Sequence, residues 1–162
     1  MPIVVNIVGQ CSNVGKTTLI EGLIKELKKR KYSVGTIKHD IHGFDIDKKG
    51  KDTYRHRKAG ADEVIISSKN RLAIIKELKE EINLEDIIEM MKDKDVILVE
   101  GYKNSNLKKI EVYRYGYSTN VITESENLIC IATDFINEDG KYLQINKDHY
   151  SEIADIILKT KD

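Results

Sequence analysis

The sequence has no tryptophan, one proline and two cysteines, and its scarcities exclude several classes of protein. Cys11 and Cys130 lie far apart without a Cys-x-x-Cys pair, which argues against a zinc ribbon and against a disulfide framework. No apolar run approaches the ~18 residues of a membrane span, and the N-terminus lacks a charged segment followed by a long apolar stretch. We therefore expect a cytoplasmic protein with no membrane association.

The sequence also lacks an excess of either charge. Its 27 Lys and Arg residues balance 27 Asp and Glu residues, so no overall field attracts nucleic acid, and we expect no nucleic-acid partner. An anionic ligand must then be held by a local site. Because the 162 residues contain no repeat and no second core, we predict a single domain over residues 1–162.

Apolar patterning predicts strands that alternate with helices. The run Ile3 to Val8 is followed by a glycine loop and then by leucines and isoleucines spaced as on one helix face, from Leu19 to Leu27. A second strand, Tyr32 to Ile37, follows a crossover long enough to be helical, which favours a parallel pair. The other predicted elements are helices at Asp52–Ala59, Leu84–Met91 and Ile153–Leu158, strands at Glu63–Ser67, Leu72–Ile75, Val96–Val99 and Leu128–Ala132, an irregular functional loop at Lys38–Gly50, and an unassigned stretch at Ile110–Ile122.

A phosphate-binding loop is the strongest signal in the sequence. The segment Gly9-Gln10-Cys11-Ser12-Asn13-Val14-Gly15-Lys16-Thr17-Thr18 lies between a predicted strand and an amphipathic helix. In such a P-loop, backbone N–H groups and the helix N-terminus surround the β-phosphate, Lys16 reaches the β- and γ-oxygens, Thr17 ligates Mg²⁺ and Thr18 adds a hydroxyl. The strict pattern has glycine where Gln10 stands, which leaves a degenerate structural loop as the alternative. We predict a three-layer α/β fold of the P-loop NTPase type, with a mostly parallel sheet flanked by helices.

Carboxylates and lysines follow two predicted strands, where ligands of open α/β sheets bind. Glu100 ends the strand that Asp95 begins, so we expect Glu100 to serve the metal ion and Asp95 to be a solvated strand start; backbone capping is the alternative for Glu100. Lys38 could neutralise phosphate charge and Asp40 could contact magnesium, or the two could form an ordinary ion pair. His39 is expected to form loop hydrogen bonds or to contact substrate.

Thr133 and Asp134 follow a late strand. A carboxylate there can accept two hydrogen bonds from guanine, which adenine cannot donate, and a buried site of this kind discriminates strongly. The alternative is an aspartate that begins the turn before Phe135. Cys11, in contrast, has no neighbouring general base and is interpreted as a small loop residue.

Together these motifs resemble the molybdopterin-guanine dinucleotide biosynthesis protein B family over about residues 3–134. The resemblance lies in Gly15-Lys16-Thr17-Thr18-Leu19, Thr36-Ile37-Lys38-His39-Asp40, Gly50-Lys51-Asp52-Thr53-Tyr54 with Ala59-Gly60-Ala61, and Leu98-Val99-Glu100-Gly101-Tyr102-Lys103. It implies a GTP-binding protein, with weak GTPase activity at most, that assists a guanylyltransferase in attaching GMP to molybdopterin. It also implies a homodimer in which the sheets join.

The resemblance assigns roles by position. It implies that Gly15 to Thr18 bind phosphates, that Glu100 serves the metal site and that Asp134 reads guanine. It further implies that Lys38, His39, Lys51 and Lys103 face the triphosphate or the phosphate of a pterin. Two other functions use the same loop: a small-molecule kinase, with His39 or Asp40 as base, and an interaction module in which the nucleotide only orders the Lys38–Gly50 loop.

Overall fold

A computed structural model describes residues 1–137 and 140–160 of the chain. In chain order, the described residues form β1 (Ile3–Val8), α1 (Lys16–Lys29), β2 (Val34–Lys38), α2 (Asp52–Lys58), β3 (Glu63–Ser68), β4 (Arg71–Lys76), α3 (Leu84–Glu89), β5 (Val96–Glu100), β6 (Lys109–Tyr113), β7 (Leu128–Thr133), β8 (Gln144–Asn146) and α4 (Tyr150–Lys159). They divide into two compact units, the described parts of residues 1–39 with 88–162, and residues 40–87. The single domain expected from the sequence stays a prediction.

The first unit is built on one parallel sheet. Its strand order is β2-β5-β1-β6-β7-β8, and every neighbouring pair runs parallel. The predicted α/β fold with its mostly parallel sheet is therefore confirmed. Because all six strands run in one direction, their carboxyl ends meet at one edge, where Val8, Lys38, Glu100, Tyr113 and Thr133 lie near the strand ends.

Two amphipathic helices cover one face of this sheet. Leu19, Leu23 and Leu27 repeat at the helical spacing of four and are almost fully buried, and Ile153 and Ile157 do the same from α4. The two helices also pack closely on each other. A Cβ atom added at Gly22 would lie 2.3 Å from the ring of Tyr150, so glycine permits this approach.

Strand β6 lies inside the stretch that the sequence left unassigned. In this strand Ile110 and Val112 alternate with Lys109 and Glu111, which is the pattern of a strand with one wet face. All four residues are buried, however, and the two charged ones bond to loop backbone instead of water. The short strand β8 was also not predicted.

The second unit contains α2 and an antiparallel hairpin of β3 and β4, as predicted from the sequence. Residues 39–51, which join the units along the chain, contain no helix or strand. Arg57 holds this unit together through Glu77, at 2.7 Å, and through Asp45 and Asp47, at 3.4 and 3.5 Å. Among the residues that the structure describes, no helix is both long enough and apolar enough to cross a membrane.

Candidate phosphate-binding site

The loop between β1 and α1 is shaped by residues in the left-handed region. Gly15, which caps α1, has φ 110°, and Asn13 has φ 63°. An L-residue rarely adopts the conformation of Gly15, so glycine is required directly before Lys16. The turn brings the backbone to the N-terminus of a 14-residue helix whose first turn carries no acidic residue. A helix end of this kind attracts an anion through its unbonded N–H groups and its dipole.

Gly9 is the more closely packed of the two glycines in the loop. A Cβ atom there would lie 2.7 Å from Cγ2 of Val14 and 3.1 Å from the carbonyl oxygen of Val112. Val14 itself is buried in the core beneath the loop, whereas Ser12, Asn13, Thr17 and Thr18 are exposed. The loop is therefore anchored on one side and open on the other.

Lysine side chains converge on this loop. Lys16 Nζ donates to the carbonyl of Cys11 at 2.9 Å, and Lys103 Nζ donates to the carbonyl of Gln10 at 3.0 Å. Burial lowers the pKa of Lys16; the nearby Glu100 carboxylate opposes this shift, and the charges of Lys103 and Lys38 add to it. Three like charges this close favour a ligand with several negative charges.

The segment after β5 is fixed by backbone geometry. Glu100 lies opposite Ile7 of β1 and Lys38 of β2, and its carbonyl accepts the N–H of His39 at 2.9 Å. Gly101 has φ 101°, and a Cβ atom there would lie only 2.9 Å from Cβ of His39. The rings of His39 and Tyr102 stack with centroids 4.3 Å apart. The Glu-Gly-Tyr-Lys motif thus places Glu100 and Lys103 beside the loop.

The groups around Lys16 fit a magnesium ion better than a transition metal. Thr17 presents a hydroxyl in the first turn of α1, and Glu100 presents a carboxylate close enough to act on the Lys16 charge. No three His, Cys, Asp or Glu side chains converge anywhere in residues 1–137 and 140–160. Mg²⁺ needs no such cluster, because it keeps several waters and takes one or two protein ligands together with phosphate oxygens.

A second segment, residues 114–120, lies against the loop and was not identified from the sequence. Gln10 Oε1 accepts the N–H of Thr119 at 2.7 Å, and Gln10 Nε2 donates to its hydroxyl at 2.9 Å. Arg114 Nη1 donates to the carbonyl of Asn13 at 3.2 Å, and its guanidinium lies over the Tyr117 ring at 4.2 Å. The hydrogen bonds to Gln10 and Asn13 join residues more than 100 positions apart, so no local signal could reveal them.

Buried Glu111 secures the chain just beyond this segment. Its carboxylate accepts the N–H groups of Ile122, at 2.9 and 3.1 Å, and of Thr123, at 2.9 Å. A carboxylate that accepts several N–H groups tolerates burial. On the same strand, Lys109 Nζ donates to the carbonyls of Ser105 and Leu107 and so holds the chain that follows Lys103. Lys109 and Glu111 of β6 therefore hold the chain that follows Lys103 and the chain that follows residues 114–120.

Thr133 contacts the turn that follows it, whereas Asp134 contacts residues 114 and 115. The hydroxyl of Thr133 accepts the N–H of Phe135 at 3.2 Å, so the side chain that begins this turn is Thr133 and not Asp134, which the alternative interpretation places there. Asp134 Oδ1 accepts the N–H of Tyr115 at 2.9 Å, and Oδ2 lies 4.0 Å from Nε of Arg114. The side chain of Asp134 is 32% exposed, so its carboxylate is accessible to a ligand.

The structure describes contacts or positions for three other residues that the sequence analysis singled out: Asp95, Asp40 and Lys51. Asp95 accepts the N–H and hydroxyl of Ser33 at 2.7 and 2.6 Å, which agrees with its expected role at a strand start. Asp40 and Lys51 belong to the second unit. There, Asp40 accepts the N–H of His42 at 3.0 Å and Lys51 precedes the first turn of α2. Their roles as metal and phosphate ligands stay predictions.

Comparison with known proteins gives consistent results. Residues 4–134 match the family model described as molybdopterin guanine dinucleotide synthesis protein B. The chain is 39% identical over 155 residues to a molybdopterin-guanine dinucleotide biosynthesis adapter protein of Escherichia coli, an alignment that covers 91% of this chain and 87% of that protein. It is 37% identical over 150 residues to the adapter protein of Haemophilus influenzae, with 90% and 83% covered.

Solved structures share the fold. The crystal structure of a molybdopterin-guanine biosynthesis protein B superposes with a TM-score of 0.74 at 24% identity, covering 97% of each chain. The crystal structure of Bacillus subtilis MobB superposes with a TM-score of 0.76, also at 24% identity, covering 98% of this chain and 97% of the other. At this identity the superpositions establish the architecture.

Proposed function

The chain belongs to the molybdopterin guanine dinucleotide synthesis protein B family, and from this premise we propose that it is a GTP-binding accessory protein of molybdenum cofactor biosynthesis. In this role it works in the cytoplasm and assists a separate guanylyltransferase in attaching GMP to molybdopterin. The relatives named adapter proteins support an accessory role. Residues 1–162 act as one domain in this proposal.

The observation that carries the proposal is the convergence of positive charge on a loop that can accept phosphate. Lys16 and Lys103 both bond to loop carbonyls, and the charge of Lys38 acts on Lys16. In the free protein the two ammonium groups use neutral carbonyl acceptors. A triphosphate offers charged oxygens instead, and hydrogen bonds to charged acceptors are shorter and stronger. Ser12, Asn13, Val14, Gly15, Thr17 and Thr18 complete the phosphate site in this proposal.

Thr17, Glu100 and Asp40 would hold Mg²⁺ in this proposal. The ion would neutralise charge between the β- and γ-phosphates. We expect hydrolysis to be weak at most, as the resemblance implies, because the Gln10 amide that could orient a water molecule is bonded to Thr119.

Guanine selectivity is assigned to Asp134, with Thr133 shaping the turn that presents it. Tyr115 occupies one carboxylate oxygen, so the other oxygen would accept from the base. His39, Lys38, Lys51 and Lys103 would face the triphosphate or a pterin phosphate.

A homodimer also belongs to the proposal. On one face of the β3–β4 hairpin, Ile65 pairs with Ile74, and Leu72 lies two positions before Ile74 on the same strand; these three residues are 56%, 56% and 62% exposed. A two-stranded hairpin with an open apolar face is marginally stable alone, so a second copy covering this face would stabilise it.

The nucleotide site is tested by calorimetric titration with GTP, ATP and non-hydrolysable analogues, with and without Mg²⁺. Binding that depends on Mg²⁺ and favours guanine supports the proposal. A preference for ATP, with phosphoryl transfer to an added acceptor, would indicate a small-molecule kinase instead. Absence of binding to either nucleotide would reject the phosphate site.

The dimer is tested by light scattering on the purified chain. Ile74→Lys should convert dimer to monomer, because a charge on the covered face would lose its water. Met90→Lys, which alters another exposed apolar residue, should leave the dimer intact. A wild-type chain that stays monomeric across the concentration range would refute this part of the proposal.

A further inference from the structure

Strand β1 contains one polar side chain, which is buried in the middle of the sheet. The strand reads Ile-Val-Val-Asn-Ile-Val, lies between β5 and β6, and leaves Asn6 fully buried. A buried amide lowers stability unless hydrogen bonds satisfy it. We propose that Asn6 is a positioning residue of the phosphate site, which holds residues 101–105 in the conformation that directs Lys103 to the phosphate loop. This role rests on the proposed function, because it takes Lys103 as a ligand of the triphosphate.

Asn6 points to the sheet face opposite α1 and α4. Along a strand, successive side chains point to opposite faces. Val5 and Ile7 belong to the core that α1 and α4 cover, so Asn6 faces the other way. Lys109 lies opposite Asn6 on β6, and both side chains bond to Ser105. The two buried polar residues therefore lie together beneath the segment that follows β5.

Asn6 bonds to residues on both sides of Lys103. Its Nδ2 donates to the carbonyl of Tyr102 at 3.0 Å and to the hydroxyl of Ser105 at 3.3 Å. The Tyr102 carbonyl also accepts the N–H of Ser105 at 2.9 Å, which closes a four-residue turn with Lys103 inside it. Asn6 thus contacts the first and the last residue of this turn.

The turn begins with a backbone conformation that needs external support. Gly101 and Tyr102 have φ of 101° and 44°, and a side chain such as that of tyrosine disfavours positive φ. Strain of this kind persists only where the surrounding structure holds it. The ring of Tyr102 is stacked on His39, and its carbonyl receives the Asn6 amide. The second contact holds the backbone at the point where the chain continues to Lys103.

Lys103 reaches the phosphate loop from this turn. Its Nζ donates to the carbonyl of Gln10 at 3.0 Å. Asn6 lies on the strand that leads into the loop, four residues before Gln10. The same strand therefore carries the phosphate loop and the amide that fixes the Lys103 turn. An ammonium group that is already held near the loop loses less freedom when a triphosphate binds, which favours tight binding.

The Asn6 amide is poorly suited to a purely structural role. Its Oδ1 has no hydrogen-bond partner among the residues that the structure describes, and an unpaired buried oxygen lowers stability. Its partners do not depend on it. The Tyr102 carbonyl keeps the Ser105 N–H, and Ser105 is partly exposed, so water can replace the amide at its hydroxyl. An apolar residue should therefore support the fold as well as asparagine does.

The role is tested with Asn6→Leu, which keeps the branched shape of asparagine and removes both polar groups. Urea unfolding should give a midpoint equal to or above that of the wild type. Calorimetry with Mg²⁺ should show GTP binding that is about threefold to tenfold weaker, because the Lys103 turn is no longer held. Asn6→Val, smaller and suited to a strand, is the second variant in case leucine overpacks the site.

Val5→Ala is the matched control on the same strand. It removes buried contacts from the neighbouring residue on the opposite face, so it should lower the unfolding midpoint. It leaves the Lys103 turn intact, so GTP affinity should stay within about twofold of the wild type.

A double-variant cycle shows whether Asn6 acts through Lys103. Lys103→Ala alone should weaken GTP binding about tenfold, through loss of a hydrogen bond to a charged oxygen. Adding Asn6→Leu to Lys103→Ala should change the affinity less than about twofold, because the side chain that Asn6 positions is already absent. A residue with only a structural role would have the same effect in both backgrounds.

Two outcomes would overturn the inference: wild-type GTP affinity in both Asn6 variants, or an equal loss of affinity with and without the Lys103 side chain. Absence of GTP binding to the wild-type chain would instead refute the proposed function. Hydrogen exchange of the free protein then still tests Asn6. Exchange of the amides of residues 102–107 should be faster in Asn6→Leu and that of α1 unchanged; unchanged exchange at residues 102–107 would show that Asn6 does not hold this segment.

Discussion

Gln10 and Thr119 are joined by a reciprocal pair of hydrogen bonds, in which the Gln10 amide accepts the Thr119 N–H at 2.7 Å and donates to its hydroxyl at 2.9 Å. Gln10 stands where the strict phosphate-loop pattern has glycine. The glycine that permits close backbone packing is instead Gly9, one position earlier. The departure from the pattern therefore has a structural role, because the side chain at position 10 fastens the loop to residues 114–120.

Removing this fastening should loosen the loop without unfolding the chain. Gln10→Ala removes bonds at an exposed site, so we expect a stability loss of about 0.5–1.5 kcal/mol. The less ordered loop should bind GTP roughly threefold to tenfold more weakly, which corresponds to about 1 kcal/mol. Thermal unfolding and calorimetry measure both effects. Thr119→Ser keeps both bonds and should resemble the wild type; an unchanged GTP affinity in Gln10→Ala would show that the fastening has no role in binding.

Lys16 should be indispensable for the triphosphate. Its ammonium bonds to an exposed loop carbonyl in the free protein, so Lys16→Ala should keep the fold while losing the charge that reaches the β- and γ-phosphates. We expect calorimetry to detect no GTP binding at concentrations that saturate the wild type. Lys25→Ala, which alters an exposed lysine of α1, should bind normally. Unchanged affinity in Lys16→Ala would remove the phosphate site from the proposed function.

The features that could be predicted from the sequence are those whose residues lie close together in the chain. The phosphate loop, α1 and the end of β5 could be predicted because Gly15, Lys16 and Glu100 lie at fixed short distances from apolar runs. Strand β6 could not, because Lys109 and Glu111 look like solvent-facing residues although both are buried. Their burial depends on loop carbonyls and N–H groups supplied by tertiary structure, which no local pattern records.

Substitution by alanine should lower the stability of the protein much more at Gly101 than at Gly60, which has almost the same φ. Gly101 and Gly60 have φ of 101° and 106°, so alanine strains the backbone at both, by about 1–2 kcal/mol. Only at Gly101 would the new Cβ meet a neighbour, the Cβ of His39 at 2.9 Å; at Gly60 there is nothing within 4 Å. Gly101→Ala should therefore unfold at lower denaturant concentration than Gly60→Ala. Equal midpoints would mean that His39 moves aside without cost.

Gly101→Ala should also affect binding, because the residue lies between Glu100 and Lys103 in the chain. Displacing His39 would shift the backbone that places both side chains beside the loop. We expect weaker GTP binding in Gly101→Ala and normal binding in Gly60→Ala, measured by calorimetry below the unfolding transition.

Asp134→Asn should separate base reading from loop structure. An asparagine keeps the oxygen that accepts the Tyr115 N–H, so the turn should survive. It replaces the second oxygen with an NH₂ group, which cannot accept a hydrogen bond from guanine. The ratio of GTP to ATP affinity should fall, while affinity for inorganic triphosphate stays unchanged. A variant that prefers GTP as strongly as the wild type would place base recognition at other residues.

The two cysteines should differ sharply in reactivity, which gives a chemical probe of the loop. Cys11 is exposed in the phosphate loop, whereas burial raises the pKa of Cys130 to about 12, so that almost no thiolate forms there at neutral pH. Iodoacetamide at pH 8 should therefore alkylate Cys11 alone in the native protein and both cysteines after unfolding, as read by mass spectrometry.

Because a bound triphosphate would cover the loop, Mg²⁺ with GTP should slow the reaction of Cys11. Cys11→Ser is the control and should show no native labelling. Equal labelling rates with and without nucleotide, under conditions where calorimetry shows saturation, would mean that the ligand binds away from this loop.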